Sequence, residues 1–185
     1  MAIKTFTTGE VLTAADTNTY LGNAGLVYVT QATVTTGSSY LEILNCFSAT
    51  YDNYRIVISA WQTSSGQALS YYLGTNASTG VYYGSLYYDR YDGGLTSTAR
   101  KDAANNSYIG LTDSATPNGS YTFDITNPFL TNYTNTHGTW NARNYSGWHG
   151  SFVNNTTSYT GIRFINDPTG TLTAGKVRVY GYRQS

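Results

Sequence analysis

From Leu26 onward, the sequence alternates short runs of β-branched and aromatic residues with turn-forming residues. The run 54–61 is typical: in a strand, Tyr54, Ile56, Ile58 and Ala60 would share one face and Trp61 would lie on the other. The other strand candidates are 27–34, 40–47, 69–74, 81–91, 107–111, 121–125, 137–145, 149–154, 161–165 and 176–183. Roughly ten short strands at this spacing indicate an all-β domain.

Turn signals rich in Gly, Asn, Asp and Ser separate these runs, and no helical segment alternates with them. A parallel sheet would need such crossover helices. The sequence therefore predicts an antiparallel two-sheet β-sandwich of the jelly-roll type over residues 26–185.

Residues 1–25 differ in character and predict a separate anchor segment. A short helix is expected from Ala14 to about Leu21, with Thr13 as its N-cap and Gly22 at its end. Two turns of helix are not stable alone in water, so the segment must pack on its own domain or dock on a partner. The apolar residues available for docking are Phe6, Val11, Leu12, Tyr20 and Leu21.

The composition excludes several classes of protein. Only 11% of residues are charged, and ten basic residues balance ten acidic ones. Without a basic excess to neutralise phosphates, we expect no nucleic-acid partner. No apolar run approaches the roughly 18 residues of a spanning helix, so no membrane is expected. A near-neutral surface gives little charge repulsion and tolerates association with other proteins.

Residues with reactive side chains do not form a recognisable catalytic pattern. Cys46 is the single cysteine and is expected to be a small buried residue within a strand. His137 and His149 lie twelve apart, which is no metal-ligand spacing, and no nucleotide-binding glycine motif occurs. Asp89 and Asp92 are expected at a strand end and hairpin turn. We therefore expect no catalytic residue, no metal and no cofactor.

Two further expectations concern charged residues. The cluster 100–102, Arg-Lys-Asp, is expected in a solvated loop. An enzyme that degrades glycans remains an alternative to a non-enzymatic protein, because ten carboxyl groups are present. That chemistry needs two of them facing each other across a cleft, and the sequence does not identify such a pair.

The density of aromatic residues is the most informative chemical feature. Adjacent tyrosines occur at 71–72, 82–83 and 87–88, and alternation in a strand would turn one of each pair outward. Outward aromatic rings suit a protein interface or a sugar-binding face, or they cover the rim of the domain's own core. The candidate contact residues are Tyr72, Tyr83, Tyr88, Trp140, Tyr145 and Trp148.

The segment from Gly9 to Leu21 reads GEVLTAADTNTYL. It resembles the N-terminal segment of many structural proteins of tailed bacteriophages, in which a GEVLTAADxNxYL pattern precedes a variable β-rich body. The C-terminal run 177–183, VRVYGYR, is similar to the last strand of small β-sandwich domains in such phage proteins. The resemblance covers about 20 of the 185 residues and identifies no catalytic residue.

The resemblance implies a non-enzymatic component of a virion, made in the cytoplasm of the host bacterium. Its partners would be other virion proteins, either the major capsid protein or tail components, and similar small virion sandwiches are commonly homotrimers. We favour a capsid decoration (cement) protein, because 185 residues are few for a fibre that must also reach a host. The alternative is a tail fibre or spike protein that recognises host surface glycans.

Overall fold

The structure, a computed structural model, describes residues 7–11, 13, 25–76, 79–91 and 96–183. Within these residues the secondary structure is entirely strand, and the predicted helix at 14–21 lies outside them. The strands are β1 (Leu26–Thr33), β2 (Tyr40–Ile43), β3 (Asn53–Thr63), β4 (Ala68–Leu73), β5 (Tyr82–Arg90), β6 (Ser97–Ala104), β7 (Ser107–Leu111), β8 (Gly119–Thr126), β9 (Thr134–Ala142), β10 (Tyr145–Val153), β11 (Ile162–Asp167) and β12 (Leu172–Tyr182).

The strands form two antiparallel sheets, which confirms the predicted all-β fold with two sheets. The larger has eight strands in the order β1-β12-β3-β8-β9-β10-β5-β6, and the smaller has four in the order β2-β11-β4-β7. Aromatic rings from both sheets meet in the core: Phe164 of β11 lies 6.1 Å from Trp61 and 6.5 Å from Phe123. The arrangement is therefore sandwich-like, with one apolar core between the sheets.

Hydroxyl groups also join the two sheets. The Tyr71 hydroxyl on β4 lies 3.1 Å from the Thr136 hydroxyl and 2.6 Å from the Ser151 hydroxyl, on β9 and β10. Thr136 and Ser151 are themselves 2.6 Å apart, and all three residues are buried. Each hydroxyl can donate to one neighbour and accept from another, so the group is satisfied without water.

The predicted faces of β3 are right up to Ile58 and wrong beyond it. Tyr54, Ile56 and Ile58 are fully buried, as alternation requires. Ala60 has a positive φ of 53°, and the pairing of β3 with β8 shifts between Ile58 and Trp61. This bulge adds one residue, which reverses the alternation and turns Trp61 into the core at 0% exposure while Ala60 is exposed.

The expectation of a solvated loop at 100–102 is wrong. These residues lie in β6, which was not among the predicted strands. The Lys101 ammonium donates to Asp167 Oδ2 at 2.6 Å and lies 4.4 Å from the centre of the Tyr108 ring. Both charged side chains are less than one-fifth exposed, so Lys101 covers a packed surface while Arg100 and Asp102 face solvent.

Cys46 is buried as expected, but it follows the end of β2 at Ile43 and does not belong to a strand. Its thiol donates to the Ile43 carbonyl at 3.4 Å. Burial raises the pKa of the Cys46 thiol to about 12. The thiol is therefore protonated at neutral pH and is a weak nucleophile.

Candidate functional site

The face of the eight-stranded sheet that points away from the smaller sheet, here called the outer face, is polar at its centre. Along β8 the side chains of Tyr121, Phe123 and Ile125 are buried in the core. Ser120 and Thr122 alternate with them and point to the outer face. The neighbouring strand β9 continues this pattern, since its exposed residues are the polar ones between Thr134 and Ala142.

A groove of about 220 Å³ lies on this face, where β8, β9 and β10 run side by side. Strand register explains its lining: Asn141 is paired with Ser120 on one side and with Ser146 on the other. Two residues earlier on β9, Thr139 is paired with Thr122 on β8 and with Trp148 on β10. The residues lining the groove are Ser120, Thr122, Thr139, Trp140, Asn141 and Ser146.

The polar groups of the groove are largely uncommitted. Within the residues that the structure describes, the hydroxyls of Ser120, Thr122, Thr139 and Ser146 make no hydrogen bond to the protein. The amide nitrogen of Asn141 donates to the Tyr91 hydroxyl at 2.9 Å, which holds the amide in place. These groups can therefore donate to and accept from a ligand.

Exposed aromatic rings stand next to the groove. Trp148, two residues beyond Ser146 on the same face of β10, is 50% exposed. Its ring stacks on that of Tyr87, directly opposite on β5, with centroids 5.5 Å apart and planes inclined by 14°. Tyr91, which accepts the hydrogen bond from Asn141, is 60% exposed. The groove thus has large aromatic surfaces close to its hydroxyl and amide groups.

A second aromatic cluster lies farther along the same two strands. The Phe152 ring on β10 is 6.4 Å from that of Tyr83 and 5.2 Å from that of Tyr133. Gly150 and Ser85 are paired between the two clusters. A Cβ added at Gly150 would meet only the Thr136 carbonyl, at 3.9 Å. No side chain therefore covers the backbone of Gly150 between the two clusters.

Two charged groups near the centre of the outer face, Arg55 and Asp124, are paired with each other. Arg55 donates two hydrogen bonds of 2.8 Å to the carboxylate of Asp124, and the Tyr182 hydroxyl donates a third at 2.7 Å. Burial alone would raise the pKa of Asp124, but these hydrogen bonds and the Arg55 charge outweigh it and lower the pKa. The carboxylate stays ionised and engaged at neutral pH.

Glu42 and Arg163 form a comparable ion pair on the four-stranded sheet. The Arg163 side chain donates to Glu42 and also to the Tyr72 hydroxyl, the latter at 2.7 Å. Its guanidinium lies 4.1 Å from the centre of the Tyr40 ring. Side-chain exposures of 17% and 20% show that the pair is packed against the protein.

Two of the predicted contact residues are buried, so the prediction is wrong for them. Tyr72 is 8% exposed, because its hydroxyl and ring are engaged by Arg163. Trp140 is 4% exposed and turns its ring into the core, where it stacks on Tyr121 at 6.3 Å. Neither ring is available to a partner.

Among the other predicted contact residues, Trp148 and Tyr83 have side chains on the outer face. Tyr88 and Tyr145 are half-buried and pack with each other, 6.0 Å apart, and Tyr88 also packs on Trp140. In the pair 87–88 the outward residue is Tyr87. Leu86 is buried, and Tyr88, two residues farther along the strand, points to the same side as Leu86, so Tyr87 points to the outer face.

The predicted anchor segment is described only in part. Thr7 and Glu10 close a turn, in which the Glu10 amide donates to the Thr7 carbonyl at 3.0 Å and the Glu10 carboxylate accepts from the Thr7 amide at 3.2 Å. Gly9 has a φ of 90°, which favours glycine at this position. Val11 follows and is 78% exposed. The other proposed docking residues, Phe6, Leu12, Tyr20 and Leu21, lie outside the described residues.

His137 and His149 have different environments. The His137 side chain is 71% exposed on the outer face, 3.9 Å from the Asp124 carboxylate. His149 is 1% exposed and packs edge-on against Phe123, 5.4 Å away. Burial lowers the pKa of His149 to about 3. Across the described parts of the chain, no three His, Cys, Asp or Glu side chains are grouped as metal ligands.

Comparison of the chain with protein-family models, curated proteins and solved structures found no match. Over the residues with described positions, no helix is long and apolar enough to cross a membrane.

Proposed function

We propose that this chain is a non-enzymatic structural protein of the virion surface of a tailed bacteriophage. The observation that supports this most strongly is the pattern from Gly9 to Leu21, placed directly before a β-sandwich body whose first strand begins at Leu26. A short N-terminal segment followed at once by a compact body suits a protein that docks by one end and displays the other.

Local features of the segment support an anchoring role. The turn from Thr7 to Glu10 uses the glycine and the glutamate of the phage-like pattern, because Gly9 adopts a positive φ and Glu10 caps the Thr7 amide. Val11 emerges from this turn as an exposed apolar side chain. An exposed apolar residue on a fixed turn is a suitable contact for a neighbouring subunit.

In the role we favour, the protein decorates the capsid. Residues 1–25 dock on neighbouring head subunits, and the body, as a homotrimer, spans and stabilises them. We also propose that the body is of the jelly-roll type and that residues 14–21 form a helix. Its partner is the major capsid protein, its location is the virion, and it uses no cofactor.

The second role is that of a tail fibre or spike protein that recognises host surface glycans. The exposed stack of Trp148 on Tyr87, beside a groove of free hydroxyls, favours this role.

Reconstitution of virions tests the anchor. Virions that lack this protein are mixed with the purified full chain or with residues 26–185, and the bound fraction is measured by co-sedimentation. The full chain is expected to bind to saturation, whereas residues 26–185 lose at least about tenfold in affinity, or 1.4 kcal/mol. A second variant, Val11→Asp, should weaken binding in the intact chain. Equal binding by all three forms would overturn the anchor.

A further inference from the structure

We propose that the outer-face groove and the adjoining rings of Trp148 and Tyr87 form a binding site for a neutral pyranose oligosaccharide. This inference deepens the second proposed role by giving it a ligand class and a site. It rests on that role for its biological use only, because sugar binding is measured on the purified protein without a virion.

The aromatic part of the site matches one side of a sugar ring. A pyranose has an apolar face of C–H groups, which stack on an aromatic ring because the ring face is electron-rich. Trp148 supplies such a ring at 50% exposure, and the stack on Tyr87 fixes its orientation. A ring fixed before binding loses little conformational entropy when a ligand arrives.

The polar part of the site matches the hydroxyl edge of a sugar. Each sugar hydroxyl both donates and accepts a hydrogen bond, so it needs partners that do the same. Ser120, Thr122, Thr139 and Ser146 supply four hydroxyls that make no hydrogen bond among the described residues. Asn141 adds an amide whose nitrogen is oriented by its hydrogen bond to the Tyr91 hydroxyl. The Tyr91 side chain is itself exposed beside Asn141.

The charge of the site favours a neutral sugar over an acidic one. The residues that line the groove are all uncharged. The nearest carboxylate by register is Asp89, paired with Ser146, and it would repel an anionic ligand. The Arg55 guanidinium on the same face is bound to Asp124 by two hydrogen bonds, so that its positive charge is already balanced by a carboxylate.

The size of the groove sets how much of a ligand it holds. Its volume of about 220 Å³ is below the roughly 300 Å³ at which enclosed ligand pockets begin. One ring would fill it, with the next ring over Trp148. The second aromatic cluster, at Tyr83 and Phe152, lies farther along the same strands and can extend the contact. The ligand is therefore a chain of a few sugars laid along β10.

Titration of the purified full chain with neutral oligosaccharides tests the inference. The probes are maltotriose, cellotriose and chitotriose, followed by tryptophan fluorescence and by saturation-transfer NMR. At least one is expected to bind with a Kd below about 1 mM. Trp148→Ala and Asn141→Ala should each weaken that binding about tenfold or more. Two variants at separate positions keep the test valid if one of them fails to fold.

Tyr28→Ala is the matched control. Tyr28 is 54% exposed and packs on Tyr180 at the opposite edge of the same sheet, so its loss should leave sugar binding within about twofold. Absence of binding by all three sugars at about 10 mM would overturn the inference. So would binding that both groove variants leave unchanged. Loss of virion attachment in Trp148→Ala without any sugar binding would instead assign the face to a protein contact and overturn it too.

Discussion

His149 shows how strongly the position of one residue in the fold determines its chemistry. The ring is 1% exposed between the sheets, and burial lowers its pKa to about 3. In the unfolded chain the same ring has an ordinary pKa of about 6.5. Between these values the unfolded chain binds more protons than the folded protein, so protonation favours unfolding.

We predict that the free energy of unfolding decreases as the pH falls below about 6.5, by about 1.4 kcal/mol per pH unit. Between pH 7.5 and 4.5 the loss amounts to about 2–3 kcal/mol. Denaturant unfolding at several pH values measures it. The pH range stops above 4 because Asp124 contributes a second effect at lower pH. Its pKa is lowered in the folded protein, so the stability that its ionised form provides is lost as the pH falls below the ordinary aspartate pKa of 3.8.

Substitution of His149 isolates the effect. His149→Phe removes the titrating group and should flatten the pH dependence, whatever its effect on stability at pH 7.5. The wild-type chain, measured in the same buffers, serves as the control. A slope that persists unchanged in His149→Phe would contradict the assignment.

The tyrosine pairs show what the sequence could and could not predict about single residues. Alternation requires that one tyrosine of each pair points outward, and for Tyr82 and Tyr83 this is right. Parity alone does not say which one, and Tyr87 faces outward in place of Tyr88. Alternation also does not predict that Tyr72, on the side of the four-stranded sheet that points away from the core, is buried by its contact with Arg163. That contact joins residues 91 positions apart.

At the scale of single elements, the bulge in β3 is the feature that departs furthest from sequence periodicity. Alternation from Tyr54 to Ile58 predicts the inward face correctly, but a period of two continues only while pairing is regular. Ala60 carries no sign of its positive φ, since alanine is not a residue that favours it. The burial of Trp61 could therefore not be predicted from its position in the run.

We predict that Ala60→Val destabilises the protein by about 1–2 kcal/mol. The reason is backbone strain, because a β-branched residue disfavours a positive φ and Ala60 is exposed, so that core packing is not altered directly. Denaturant unfolding at pH 7.5 gives the difference in free energy.

Ser59→Val is the matched control for this substitution. It introduces the same side chain one position earlier, outside the set of residues with positive φ, and should change the free energy by no more than about 0.5 kcal/mol. Equal losses of stability in Ala60→Val and Ser59→Val would show that the positive φ of Ala60 is not the cause of the destabilisation.

At the scale of the whole molecule, the sequence predicted the class of fold but not the grouping of the strands. Strand-like runs and turn signals are local, and they indicate an all-β fold with antiparallel pairing. The order of strands places β8 beside β9 and β10 beside β5, and this order creates the groove. Trp148 was a candidate contact residue, whereas Ser120, Thr122 and Asn141 have no distinctive local signal in a chain rich in such residues.

We predict that residues 26–185 fold without residues 1–25, because all twelve described strands and the core between them lie after Gly25. The shortened chain should keep the circular dichroism spectrum of a β protein and a thermal midpoint within about 4 °C of the full chain, a difference of about 1 kcal/mol or less. An unfolded or aggregated product would show that the first 25 residues belong to the domain.

The position of the protein in the virion tests the central proposal most directly. Electron cryo-microscopy of purified virions of the encoding phage should show a two-sheet β density outside the capsid shell, with its N-terminal segment against the head subunits. Density of this shape on the tail would support the second role instead. The proposal of a virion protein would be contradicted if the protein is made in infected cells while mature virions contain neither its density nor its peptides by mass spectrometry.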